Sequence, residues 1–338
     1  MDSKNGSLVI SLDFELLWGV RDKKTIASYG QDIENVKYVI PRLLKVFADY
    51  DVKATFSTVG FLFAHNKEEL LTYVPQEKPT YINKNLSPYN GHFDLLEESS
   101  LTDPYHYAPE LITQIKSDQR HSLGTHTFSH YYCLESGQTL DQFKADIVSA
   151  KRIAENNGIQ LQSIVFPRNQ CNIDYLNVCQ ELGIASYRGN EKSWAFEGNR
   201  NKTGRLWMYG RRLGRGLDAY FNIFGHHCYT WDELRFKDPI YNLPSSRLLR
   251  SYSKKLGFLE FLKIRRIKKS MKHAAKHNKV FHLWWHPHNF GSNMDQNFKN
   301  LEKILTMYQA LNKKYGFMSH SMESLVEKLE KDGRDQYT

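Results

Sequence analysis

Cysteine is scarce: Cys133, Cys171, Cys179 and Cys228 are the only four in 338 residues. None forms the C-x-x-C pair of a zinc knuckle or redox motif, and the spacing is no disulfide framework, so reduced thiols and a cytosolic setting are expected. No stretch approaches the roughly 20 consecutive apolar residues that a membrane span needs. The opening MDSKNGSLVISLDFE has neither a basic region nor a small-residue cleavage site, so no secretory leader is expected there. A G-x-G-x-x-G after the first apolar run is also missing, which argues against a dinucleotide-binding half.

What the chain does have is a hydrophobic fraction of 41%, enough for a substantial core, and a net charge of +9 that is unevenly spread. Residues 247–279 hold twelve Lys or Arg against one acid, Glu260, and so contribute +11, leaving about −2 for everything else. Basicity belongs to one segment. Within it Ile267, Met271, Ala274 and Ala275 recur at helical spacing from Ile264, with lysines and arginines on the remaining faces, so 247–279 reads as a basic amphipathic helical segment. It is suited to an anionic lipid surface or to a phosphate-bearing or acidic sugar. Nucleic acid is not the expected partner, because the charge is confined and no binding motif accompanies it.

Short apolar or β-branched runs recur at 8–14, 53–61, 121–126, 163–168, 184–188, 279–286 and 316–320. Helical periodicity lies between them at 32–50, 141–158, 172–182, 297–314 and 321–331. That alternation predicts an α/β fold, a distorted (β/α) barrel of mostly parallel strands. We read 1–338 as a single domain with long insertions at 72–107 and 189–255, both rich in aromatic residues, and loops of that length form lids or substrate walls.

Three histidine pairs have four-residue spacing, where about half a pair is expected by chance. His273 and His277 sit among lysines, as on a solvated helix. His282 and His286 lie along an apparent strand, where four residues span about 13 Å, too far for one ion. His126 and His130, in GTHTFSH, instead follow a strand end, where one helical turn would present both rings on one face. Three other strand ends carry polar groups: Asp13-Phe14-Glu15, Arg168 and Asn169 in FPRNQ, and His286 and His288 in HLWWHPHN. Four polar clusters at four strand ends point to one shared site, with a carboxylate completing the histidine pair.

This order of motifs resembles the polysaccharide deacetylases, carbohydrate esterase family four, also called the NodB-homology family, from about residue 8 to 320. The subgroup whose first motif reads D-x-E is the nearest in look, and YAPELI (107–112) and GTHTFSHYYC share that look. The resemblance implies the distorted barrel and hydrolysis of N- or O-acetyl groups on amino sugars with a divalent ion, zinc or one like it. Carried onto this sequence, it makes Asp13 the general base, Glu15, His126 and His130 the metal ligands, Arg168 the group that orients the base and His286 the general acid. Phe14 stands where the common pattern has a second adjacent aspartate, so which of Asp13 and Glu15 is ligand and which base stays open. Pro167 precedes Arg168, whereas the family usually has its arginine two residues before proline. Asp218, in RRLGRGLDAY, is the nearest counterpart of the aspartate that tunes the acid histidine. Trp18, Asn169, Arg212, Asp218, Trp285 and His288 stand as candidate substrate-binding residues.

The expected activity is removal of an N-acetyl group from an amino sugar in surface-polysaccharide or glycolipid biosynthesis. Deformylation, hydrolysis of another amide, or an inactive glycan-binding module are the alternatives, the last being the one for which loss of these residues would be expected. A cytosolic enzyme cannot reach finished wall polymers. Its expected substrate is a sugar still on a nucleotide or lipid carrier, with peripheral contact to an anionic membrane through 247–279.

Overall fold

The computed structural model describes residues 5–193, 205–235 and 239–334; parts of the expected 189–255 insertion, 194–204 and 236–238, lie outside the described residues. The strands are β1 (Ser7–Phe14), β2 (Ala54–Thr58), β3 (His121–Thr125), β4 (Ser163–Ile164), β5 (Ser186–Tyr187), β6 (Tyr241–Asn242), β7 (Arg247–Leu248), β8 (Val280–Trp285) and β9 (Met318–His320). They form one parallel sheet in the order β6-β5-β4-β3-β2-β1-β8-β7. One edge of β1 is divided: β9 pairs with Ser7 to Val9, and β2 takes over at Ser11. The central strand, SLVISLDF, is buried along its whole length, as a parallel strand covered on both faces should be.

The two ends of this sheet are joined through the chain at 241–249. Leu243 N and Ser245 N donate to Tyr187 O and Gly189 O, each at 2.9 Å, beside β5. A residue later Ser246 N and then Leu249 N donate to His282 O and Trp284 O, each at 2.8 Å, on β8. The distorted barrel therefore closes through a stretch that the sequence placed inside an insertion. Periodicity does not reveal β6 and β7 because each is only two residues long.

The helices are α1 (Ile26–Glu34), α2 (Val36–Asp49), α3 (Lys67–Tyr73), α4 (Pro109–Ser117), α5 (Leu140–Asn156), α6 (Leu176–Glu181), α7 (Arg205–Asp218), α8 (Trp231–Arg235), α9 (Glu260–Lys276), α10 (Met294–Tyr315) and α11 (Met322–Arg334). The single helix read at 32–50 is two, meeting at Asn35. Helix α2 buries Val36, Val39, Ile40, Leu43 and Phe47, one face at three- and four-residue steps, and α5 begins with a reciprocal Thr139–Gln142 capping box. In α9 the apolar stripe Ile264, Ile267, Met271, Ala274 and Ala275 is buried in the core. That stripe is therefore not the surface offered to a membrane. Lys263 is buried with it, its Nζ 2.8 Å from Glu260, while Arg265, Lys269, Lys272 and Lys276 stay exposed.

The 72–107 segment packs over the strand ends. Tyr81 Oη accepts from Tyr132 N at 2.8 Å, and Phe93 lies edge-on to Trp18 and tilted against Phe61.

Candidate metal centre

Glu15 leaves the C-terminal end of β1 with its carboxylate buried at 4% exposure. Its Oε2 is 3.2 Å from His126 Nε2 and 3.0 Å from His130 Nε2. These three groups offer ligand atoms that all lie within 4.8 Å of one another. Their chemistry, two imidazoles and a carboxylate, fits a divalent ion such as zinc with coordination positions left open. His126 Nδ1 is 2.7 Å from Val165 O, a contact that fixes the proton on Nδ1 and leaves Nε2 free to ligate. Burial pushes His130 down to about 3 against the pull of Glu15, so its ring is neutral. Burial disfavours the Glu15 charge, but His286 opposite and the adjoining His126 and His130 rings hold its carboxyl well below the usual range.

The histidines do not share a helical turn as the spacing suggested. The chain runs through left-handed backbone at Thr127 (φ 64°) and again at His130 (φ 56°). Asp146 of α5 holds this turn by accepting from Phe128 N at 2.7 Å and from Ser129 N at 3.1 Å. Gly19 makes room for the carboxylate, since a Cβ there would lie 1.9 Å from Glu15 Cδ.

Asp13, one side chain earlier on the same face of β1, sits in a different setting. Arg188 grips it bidentately, Nη1 to Oδ1 at 2.6 Å and Nη2 to Oδ2 at 2.8 Å, with both side chains buried. Burial alone would raise the Asp13 pKa, but Arg188 foremost, then His126 and His286, lower it below the ordinary value. His286 faces both carboxylates, its Nε2 at 3.6 Å from Asp13 Oδ2 and 3.5 Å from Glu15 Oε1. Asn289 Nδ2 lies 3.2 Å from His286 Nδ1 and donates to it, while Asn289 Oδ1 accepts from Tyr29. Because Nδ1 accepts from Asn289, Nε2 is the nitrogen that bears a proton toward the carboxylates.

The sequence matches a known family. Residues 21–187 match the polysaccharide deacetylases. This stretch of the chain belongs to the polysaccharide deacetylase family. Among solved structures, a Mycobacterium smegmatis protein assigned to the polysaccharide deacetylases is 13% identical, covering 98% of this chain and 92% of its own at a TM-score of 0.62. A Streptomyces lividans family 4 carbohydrate esterase, solved with acetate, is 10% identical over 95% of this chain and 94% of its own, with a TM-score of 0.41. A Bacillus anthracis pseudoenzyme of the same esterase family is 11% identical over 96% of this chain and 66% of its own, at 0.44. At such identities the likeness is one of fold. No curated protein matches the sequence.

Against the expectations drawn from this family, the arginine is a correction. Arg168 does not touch Asp13. Left-handed backbone at Arg168 (φ 57°) and Asn169 (φ 51°) sends its guanidinium over the Tyr132 ring, 4.0 Å from the centroid, to pair with Asp22. Arg188, at the end of β5, takes the place assigned to it, and Asn169 Oδ1 accepts from Arg188 Nη2 at 2.9 Å. The available signal was the run IASYR, a strand that also ends in arginine. Trp285 is a second correction: it is fully buried, stacked on Phe290 and packed against Phe47, because side chains alternate along β8. Its neighbour Trp284 is the tryptophan on the site side, 4.1 Å from the Arg188 guanidinium. Trp18 is buried too, donating to His106 O at 2.9 Å, and so supports the wall rather than facing substrate. Asp218 is paired with Arg247 and Arg266, and accepts from Ile223 N and Phe224 N, an assignment that leaves it no part in tuning His286. His288 lies stacked on His286 with its Nε2 at 3.9 Å from Glu15 Oε1, and Asn169 and Arg212 line a cavity beside the Asp13–Arg188 pair.

Proposed function

We propose that the chain is a metal-dependent hydrolase that removes the N-acetyl group of an amino sugar during surface-polysaccharide or glycolipid assembly. One observation carries this reading: the two carboxylates of D-x-E sort into separate surroundings, Glu15 against two imidazoles and Asp13 against Arg188, with His286 facing both. Glu15, His126 and His130 would hold the ion, zinc by the character of the donors, and when bound it supplies Lewis acidity toward water and the acyl carbonyl. Asp13 Oδ2 is the atom placed to take a proton from the attacking water, and Arg188 keeps it ionised and aimed. His286 Nε2 gives its proton to the departing nitrogen, a step worth about 10²- to 10⁴-fold. His288, pushed down to about 4 by burial, is a neutral ring stacked against His286.

We take the sugar to be carried on a nucleotide or lipid diphosphate, met by a cytoplasmic protein at an anionic membrane surface. No helix among the described residues is long and apolar enough to cross a membrane. Supporting peripheral contact, Phe258 and Phe261 are exposed at 72% and 64% beside exposed Lys254, Lys255 and Arg265, and Leu213 and Leu217 of α7 and Phe221 just after it are exposed as well. Apolar rings among cations suit a lipid interface.

The test is acetate release from N-acetylated amino sugars. Chelation should abolish it and zinc restore it, and His286→Ala should keep the ion while turnover falls by about 10²- to 10⁴-fold. Activity indifferent to chelators would overturn the reading.

A further inference from the structure

A cavity of about 500 Å³ adjoins the Asp13–Arg188 pair, and its walls are unusually rich in arginine. Arg211, Arg212 and Arg215 reach it from α7, Arg247 and Arg250 from β7 and just beyond, and Arg168 from the turn after β4. The connection to the metal centre is direct. Two wall residues, Asn169 and Trp284, are the ones that touch Arg188, by a hydrogen bond at 2.9 Å and by the ring face at 4.1 Å.

Some of these cations are already matched. Arg168 pairs with Asp22 and Arg247 with Asp218. Among the described residues no carboxylate lies within ion-pair distance of Arg212, Arg215 or Arg250. Burial, together with Arg211, Arg250 and Arg212 close by, lowers the Arg215 pKa, which marks crowding of like charge. Glu191 is the acid of the wall, and burial raises its pKa, weakening it as a counter-charge. Two donors on buried wall side chains, Trp284 Nε1 and Arg247 Nε, have no hydrogen-bond partner. Crowded guanidinium groups without a carboxylate partner are the chemistry that recognises phosphate, which accepts bidentate bonds from arginine.

We infer that this cavity is a binding site for the phosphate or diphosphate that carries the sugar, so that the acyl group is presented to the metal centre by its carrier's anion. The inference rests on the reading of the adjoining centre as a deacetylase site. It moves the recognition of negative charge from the outward lysines of α9, where the sequence put it, to α7 and the closing segment of the barrel.

The test titrates the full-length chain, stripped of divalent ions and again after zinc loading, with inorganic pyrophosphate, uridine diphosphate and farnesyl diphosphate. Arg212→Gln with Arg215→Gln should weaken pyrophosphate binding by about thirtyfold or more, as loss of two charge-assisted contacts implies. Arg265→Gln with Lys269→Gln removes the same charge from the outward side of α9 and should change it less than about threefold. Arg250→Gln is the second cavity variant, and zinc stoichiometry shows that each variant is folded. Equal weakening in both double variants, or none in the cavity variants, overturns the site. Tighter binding of uridine diphosphate than of pyrophosphate assigns a nucleotide carrier, tighter binding of farnesyl diphosphate a lipid carrier, and pyrophosphate tightest a free anion. Arginine-dependent binding without acetate release from any amino sugar would keep this site and sink the deacetylase reading. Acetate release from carrier-linked and carrier-free sugars slowed equally by the cavity variants would do the reverse.

Discussion

Replacing Arg188 with methionine separates the geometry from the sequence expectation more sharply than any other change. Both partners are buried, Arg188 at 1% and Asp13 at 3% exposure, and two bonds at 2.6 and 2.8 Å join them. Removing one member strands a carboxylate in a site that desolvates it, which costs about 3–5 kcal/mol of folding stability when the partner stays charged. Asp13 has a second route, because burial already pushes its pKa up and Arg188 is the foremost group pulling it down. In the variant the base should therefore gain a proton at a higher pH, moving the acid limb of the rate profile upward and lowering the plateau by about 10²- to 10⁴-fold. The assay is acetate release across pH 5–9 with zinc content held equal, beside urea unfolding at pH 7. Arg168→Met, by contrast, loses a partly exposed pair with Asp22 and a stack on Tyr132, about 1 kcal/mol or less, and should leave the shape of the profile unchanged. A wild-type profile in Arg188→Met, or the same upward shift in Arg168→Met, would refute the assignment.

Gly19→Ala should weaken zinc binding by about tenfold or more with little loss of melting temperature, because the added methyl meets the movable Glu15 carboxylate rather than backbone; zinc affinity equal to wild type would show that Glu15 is not held there. Acid should destabilise the metal-free protein below pH 6.5. His121, His282 and His320 are pushed down to about 4, 3 and 4 by burial, so between pH 6.5 and about 4 the unfolded chain takes up protons that the folded chain refuses. Above pH 6.5 both states are neutral and nothing is lost; below it each group removes up to about 1.4 kcal/mol per pH unit. Urea midpoints that stay level from pH 7 to 5 would contradict this, and His121→Phe should flatten the slope by one group's share. Full-length protein should float with anionic vesicles and not with neutral ones, and Phe258→Ser with Phe261→Ser should weaken that binding about tenfold; flotation indifferent to lipid charge would count against membrane contact.

The strands that carry the candidate site were legible because each is a short apolar run ending in a polar residue, a pattern that survives without knowledge of contacts. Strand β1 shows why: SLVISL can only be a covered strand, and two acids placed directly after it need partners wherever the chain folds. What remained closed was the choice among equals. IASYR and SIVFPR both end in arginine, and only the left-handed turn at Arg168, invisible in composition, decides that Arg188 reaches Asp13 while Arg168 swings outward. WW at the end of β8 poses the same problem, since alternation assigns one indole to the core and one to the site, but the register that says which comes from Ser11 and Leu12 across the ladder. The closing strands β6 and β7 leave no periodic trace because two residues carry no period, and the arginines of α7 lie in what reads as an aperiodic insertion, with Arg212 alone among them a candidate substrate contact, until the barrel places their tips in one cavity. Local chemistry thus predicted which residue types gather. The identity of the partner in each pair is set by backbone turns and sheet register, and a single Arg188→Met profile measures whether those long-range terms were read correctly.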